Sequence, residues 1–200
     1  MTKKKTNVLL ENILLVTAVP EEVGRQPEYS AFYSSEKGLL IMRNAFVAVN
    51  DGIIVYVGRD RTEAESAFAG NPYEIYNGKS KLVWPSMANT HGHIPMTLMR
   101  NRTDDHNLHD WLFNVIFPME AHLTEDHVYS GTMLGLAEMI RHGTGAAADM
   151  YYFSDSVAEA ASQAGFRLNV CCDGKLEGSG GKAHVSDSEL ARFNTRWEQG

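Results

Sequence analysis

The sequence predicts an α/β protein in which a β-rich first part, residues 1–84, precedes about three strand–helix units of a parallel sheet in residues 85–200. Three observations carry that expectation. Short apolar runs separated by turn residues crowd the first part. Strand-like and helix-like patterns alternate after Pro85. The pair Asp51-Gly52 sits between two apolar runs, where a tight hairpin needs positive φ angles.

The elements follow in order. Lys3 to Lys5 read as a frayed basic end, and Val8 to Thr17 as a first strand. A secretory signal also opens with basic residues and an apolar run. Here Glu11 and Asn12 interrupt the run and no A-x-A cleavage site follows. Pro20 to Gly38, with its Pro, Gly, Ser and Glu, reads as a long surface loop. Leu39 to Met42 with Ala45 to Val49 make a second strand, Ile53 to Val57 a third, and Lys81 to Trp84 a short apolar run before Pro85. A buried strand then ends near Thr90 to His93. Asp110 to Pro118 has apolar residues at helical spacing and is expected to stop at the proline.

Thr124 reads as the N-cap of a longer helix, with Glu125 and Asp126 favouring the dipole in its first turn. Val128, Met133, Leu136, Ala137 and Ile140 form the apolar stripe, and Arg141-His142-Gly143 the stop. Thr144 to Met150 is a buried strand. Asp155 or Ser156 starts a helix that Gly165 ends, and Phe166 to Cys172 is a third strand. Gly174 to Gly181 reads as loop and Ser186 to Glu198 as a last helix.

Composition excludes several classes. Hydrophobic residues at 44% and charged residues at 22% are those of a soluble globular chain. A net charge of −7 without any Lys/Arg stripe argues against a nucleic-acid partner. No apolar run approaches the roughly 18 residues of a membrane span, so no membrane partner is expected. Cys171 and Cys172 are neighbours that would point to opposite faces of a strand. That disfavours a disulfide, and fits buried small hydrophobes in a reducing, cytoplasmic setting.

Thr90-His91-Gly92-His93 is the constellation with chemical content. Residues two apart on a strand share a side, so both imidazoles can reach one metal ion. With eight histidines in the chain, chance supplies roughly 0.3 such pairs. Spacing alone is therefore equally satisfied by hydrogen-bonded core histidines. Position says more, because sites of parallel α/β folds gather at the C-terminal ends of strands. A cupin site would want a Glu where Thr97 stands. A cytidine-deaminase site needs H-x-E and P-C-x-x-C, which the sequence lacks. His106, His109, His122 and His127 lie in polar stretches and receive no role.

The run from Leu82 through Trp84-Pro85 to Asn89-Thr90-His91-Gly92-His93 resembles the first barrel strand of the amidohydrolase superfamily. The likeness continues through Pro95 to Arg100, Asp110 to Leu112, Pro118 to Glu120, Leu123-Thr124, Ala137 to Thr144 and Ala148 to Tyr151. The combination is similar to the branch that contains S-adenosylhomocysteine and methylthioadenosine deaminases and related chlorohydrolases. The resemblance implies a (β/α)8 barrel preceded by a small β-sandwich subdomain. Residues 1–84 would supply the sandwich part, and residues 85–200 the first three βα units of the barrel. His91 and His93 would be metal ligands, and Trp111 and Glu120 would line the substrate pocket, the carboxylate binding ribose hydroxyls. The cofactor implied is a divalent metal, zinc or else iron, that activates water for hydrolytic deamination of a small adenosine-type or other heterocyclic substrate.

Two positions depart from the family pattern. Ser86 replaces the usual Gly, and Cys172-Asp173 stands where nucleoside deaminases of the branch carry an Arg. A barrel of this kind needs about 250 residues, and residues 82–200 supply about half. The resemblance therefore implies that the later His ligands, the catalytic Glu and the last-strand Asp lie beyond Gly200, with no catalytic residue inside this chain. Association into a homo-oligomer stays open. The competing expectation is a non-catalytic half-barrel that acts, if at all, through a partner covering its unpaired strand edge.

Overall fold

Asn12 and Asn44 carry positive φ angles of 58° and 52°, a conformation that asparagine tolerates better than most residues. They decide which side chains the first strands bury. The computed structural model describes residues 7–102, 105–171, 175–176 and 183–184. It separates into one unit ending at Pro85 and another beginning at Ser86. Lys3–Lys5, the Cys172-Asp173 pair and the helix expected over Ser186–Glu198 lie outside the described residues.

In the first unit, β1 (Val8–Ala18) runs antiparallel to β3 (Leu39–Asn50), which also pairs with β2 (Tyr33–Ser34) and β4 (Ile53–Gly58). On its other edge β1 pairs in parallel with β5 (Glu74–Asn77) and β6 (Leu82–Val83), completing a six-stranded sheet. Leu10 faces Val47, Ile13 faces Ala45 and Leu15 faces Met42, so each strand carries one extra residue near its asparagine. The bulges switch the alternation. Leu9 and Ala48 pack on one face with Ala64 and Phe68. Ile13, Leu15, Leu40, Met42, Ala45 and Val47 form the core of the other. The first face is covered from α2 (Arg61–Ser66), capped by the Asp60 carboxylate on the Glu63 N–H. The second takes Tyr29, Phe32 and Tyr33.

The β3–β4 hairpin turns as expected, with Asp51 at φ 53° and Gly52 at φ 78°. The stretch expected as plain loop over Pro20–Gly38 instead holds α1 (Glu21–Gly24), a 3-10 turn at Ser30–Phe32 and β2. Its aromatic residues are recruited to the core, which composition alone does not reveal.

The second unit has three parallel strands, β7 (Met87–Gly92), β8 (Thr144–Asp149) and β9 (Arg167–Val170), in that order. Between β7 and β8 come a 3-10 turn at Ile94–Met99, then α3 (Leu108–Asp110), a wide π-helical turn over Trp111–Ile116 and α4 (Phe117–Glu120). The longest helix follows, α5 (Glu125–Arg141). Its cap is the Thr124 hydroxyl, which accepts from the His127 N–H at 3.3 Å. Helix α6 (Ser154–Ala164) joins β8 to β9, with Gly165 at φ 68° as its stop. Lys175–Leu176 (β10) and Ala183–His184 (β11) form a separate antiparallel pair, so the glycine-rich stretch is not loop throughout.

Four expectations need correction. Pro118 does not stop the helix, because the preceding π turn shifts the bonding register and leaves the proline at a helix start, where its missing N–H costs nothing. Strand β7 is largely exposed, Met87 at 51%, because it is paired on one side only among the described residues. Cys171 is exposed rather than buried, since β9 ends one residue before it. The buried stripe of α5 is Val128, Gly131, Thr132, Gly135 and Leu136, while Ala137 and Ile140 face outward. Small residues choose that face. A Cβ at Gly131 would stand 2.6 Å from the Pro95 carbonyl oxygen, and one at Gly135 2.5 Å from the Ile94 side chain.

Among the described residues no helix is long and apolar enough to cross a membrane. The close approach of α5 gives a test: Gly131→Ala adds helix propensity worth about 1 kcal/mol but drives a methyl into backbone. Net destabilisation of about 1–2 kcal/mol, read as a lower Tm, is expected; an unchanged or higher Tm would contradict the packing.

Candidate functional site

The C-terminal ends of β7 and β8 meet where Gly92 pairs with Asp149. Between Asn89, opposite Ala147, and Gly92, β7 carries one residue more than β8, a bulge at Thr90-His91 of the kind found beside active sites. The Asn89 side-chain oxygen accepts from the His91 N–H at 3.3 Å, steadying the irregular backbone. Past it the rings of His91 and His93 stand with centroids 5.1 Å apart and planes at 81°. Two imidazoles sharing one tetrahedral cation, each at about 2.0–2.1 Å through one nitrogen, have centroids about 5 Å apart.

The tautomer of His93 follows from its neighbour. Nδ1 lies 2.6 Å from the Met150 carbonyl oxygen. A carbonyl only accepts, so Nδ1 carries the proton and the neutral ring keeps the lone pair of Nε2. This is the carbonyl–imidazole arrangement that orients metal-binding histidines. The donor set thus fits a divalent cation, although among the described residues no third His, Cys, Asp or Glu joins the pair.

Asp149 sits at the end of β8, 2% exposed. One carboxylate oxygen accepts the Ile94 N–H at 2.6 Å, tying the chain just past His93 to β8. The other is buried with no hydrogen-bond partner among the described residues. Burial pushes this carboxyl above the usual range, against the Ile94 hydrogen bond, which lowers it. From the sequence, an Asp at the end of this strand reads as helix capping or loop hydrogen bonding in preference to a site role, and the Ile94 bond is of the second kind.

Glu120 ends α4 and receives the Tyr151 hydroxyl at 2.8 Å. Tyr151 is itself buried, its ring centroid 6.2 Å from that of His93. Burial first, then the Glu120 carboxylate, push the phenols of Tyr151 and Tyr152 up. His91, His93 and, through Tyr151, Glu120 are therefore gathered at one end of the sheet. Trp111 begins the π turn, half-buried, and makes no ring contact with these residues among those described. His106, His109, His122 and His127 are exposed, as their polar surroundings in the sequence predict. The groups that reasoning from residue types missed are the Met150 carbonyl and the Tyr151 hydroxyl. The signal was their place, immediately after the strand that neighbours His91-Gly92-His93.

Residues 82–197 match the profile of the Amidohydrolase family. A 5-methylthioadenosine/S-adenosylhomocysteine deaminase of Acetivibrio thermocellus is 40% identical over 131 residues, 66% of this chain and 30% of that protein. A 5'-deoxyadenosine deaminase of Methanocaldococcus jannaschii is 52% identical over 94 residues, 47% of this chain and 22% of that protein. The solved structure of an adenosine deaminase from Xanthomonas campestris with bound zinc superposes with a TM-score of 0.69 at 30% identity. It covers 97% of this chain and 40% of that one. The chain spans about a third or less of the curated relatives it matches.

Asp149→Ala would leave the buried Ile94 N–H unpaired. A loss of about 1–3 kcal/mol in unfolding free energy is expected, smaller for Asp149→Asn, which keeps an acceptor. Equal stability of the alanine variant and the unaltered protein in denaturant titrations would contradict the role given to this bond.

Proposed function

The chain belongs to the amidohydrolase family, and from that premise we propose that it serves the metal-dependent hydrolytic deamination of adenosine-type nucleosides. The observation that carries the proposal is the bond from His93 Nδ1–H to the Met150 carbonyl, which puts the lone pair of the neutral ring on Nε2, in a ring that stands 5.1 Å from that of His91. A divalent cation held there supplies Lewis acidity, lowering the pKa of water toward neutrality. Imidazole nitrogens suit zinc, and the related adenosine deaminase structure holds zinc, so zinc is the proposed ion. Catalytic zinc takes three protein ligands, so the two imidazoles are part of the set.

The other residues act on the substrate. Glu120 accepts hydrogen bonds from ribose hydroxyls, and Trp111 offers a flat apolar face to the heterocycle. The deaminase names of the relatives support the substrate class. The setting proposed is the cytoplasm, and the partner a small heterocyclic molecule.

Two measurements test the proposal. His91→Ala combined with His93→Ala is expected to cut bound zinc per chain by roughly tenfold or more; unchanged zinc by elemental analysis would sink the ligand assignment. The protein purified from its own cells should release ammonia from 5'-deoxyadenosine. A chelator should stop the release and added zinc should restore it. Release that survives complete metal removal would overturn the mechanism.

A further inference from the structure

We propose that Tyr151 is a positioning residue: its hydroxyl fixes the Glu120 carboxylate in the orientation that receives the ribose hydroxyls of a nucleoside. This rests on the deaminase function proposed above.

The geometry gives Tyr151 the properties such a residue needs. Its side chain is 8% exposed and packed with Val128 of α5 and Val157 of α6, so the phenol cannot swing away. Met96, Leu123, Phe153, Leu168 and Val170 close around that cluster. The hydroxyl meets Glu120 Oε1 at 2.8 Å. A phenol hydroxyl facing a carboxylate is the donor, and the raised pKa of this buried ring keeps the proton on it. Glu120 is the last residue of the helical run that α3, the π turn and α4 form, so the backbone beneath it does not fix the side chain's rotamer. Without Tyr151 its side chain is free to choose among rotamers. With Oε1 committed to the phenol, Oε2 is left to accept from a sugar diol.

Tyr151 also follows Met150, whose carbonyl sets the His93 ring. The sugar-binding carboxylate and the cation-binding imidazole therefore hang from consecutive residues at one strand end, and their spacing cannot drift independently.

Tyr151→Phe removes the hydroxyl and keeps the buried ring. Two readouts are taken on the natural protein, one without substrate. Three-bond NMR couplings of the Glu120 side chain should report a single rotamer in the unaltered protein and averaging in the variant. In kinetics, the variant should raise KM for 5'-deoxyadenosine roughly tenfold, with kcat held within about threefold. KM for 2',3'-dideoxyadenosine, which lacks the diol, should stay within about twofold. On a Glu120→Gln background, Tyr151→Phe should add no further rise in KM.

An equal KM rise for both nucleosides, or a fall in kcat alone, would overturn the proposal in favour of a merely structural tyrosine. So would an unchanged Glu120 rotamer. If the unaltered protein releases ammonia from neither nucleoside, the deaminase function falls and the couplings alone decide. Averaging then upholds the positioning of Glu120 by Tyr151, and a fixed rotamer overturns it.

Discussion

The parallel pairing of β7 with β8 is the constraint on which the site depends. Two strands run side by side from Met87 and Thr144 to Gly92 and Asp149, and their backbones deliver different groups to the same level. From β7 come the two imidazoles. From β8 and the residues just past it come a carboxylate for the Ile94 N–H, a carbonyl for His93 Nδ1 and a hydroxyl for Glu120. A register slip of one residue would move the whole second set to the other face of the strand. The extra residue in β7 near His91 adds a second condition, since it shifts the pairing register at the point where His91 sits.

What holds the two strands in that register lies behind them. Ile94, Leu136, Ala147, Ala161 and Phe166 form one core between the sheet and helices α5 and α6. Its tightness comes from what is missing at Gly131 and Gly135, where the helix backbone nearly touches the turn after His93. Glycine costs a helix about 1 kcal/mol relative to alanine, and two in one helix weaken it as an isolated element. In return, Ile94 and Pro95 are buried flat against it, and the turn carrying His93 is clamped from one side while Asp149 ties it from the other. Thr97 adds a third tie, its hydroxyl donating to the Gly131 carbonyl at 2.8 Å.

The legible parts of the sequence were those with local causes. The Asp51-Gly52 hairpin, the Thr124 cap, the stops at Gly143 and Gly165 and the two-residue spacing of His91 and His93 each depend on residues within a turn or two. The errors have the opposite character. Ala137 and Ile140 read as part of the buried stripe because hydropathy ranks them above glycine. The true contact face is chosen by how closely another segment approaches. Pro118 read as a stop because the π turn that accommodates it has no compositional mark. The role of Asn12 and Asn44 was illegible because a bulge is a property of two strands at once. In the site, imidazoles and carboxylates declare themselves by type, whereas a carbonyl that orients a ring belongs to every residue and is found only in space.

That distinction bears on how the site comes into being. His93 and Met150 are 57 positions apart, as are Gly92 and Asp149. Glu120 and Tyr151 are 31 apart. None of the orienting contacts exists until β7 and β8 are paired, and closing loops of that length costs entropy that only the core beneath can offset. A short peptide carrying Thr90-His91-Gly92-His93 holds the donor atoms but not their tautomer or their spacing. The chemistry assigned to the motif is therefore a property of the folded second unit: loosening α5 would release the turn at Ile94, then the His93 ring, without altering either histidine.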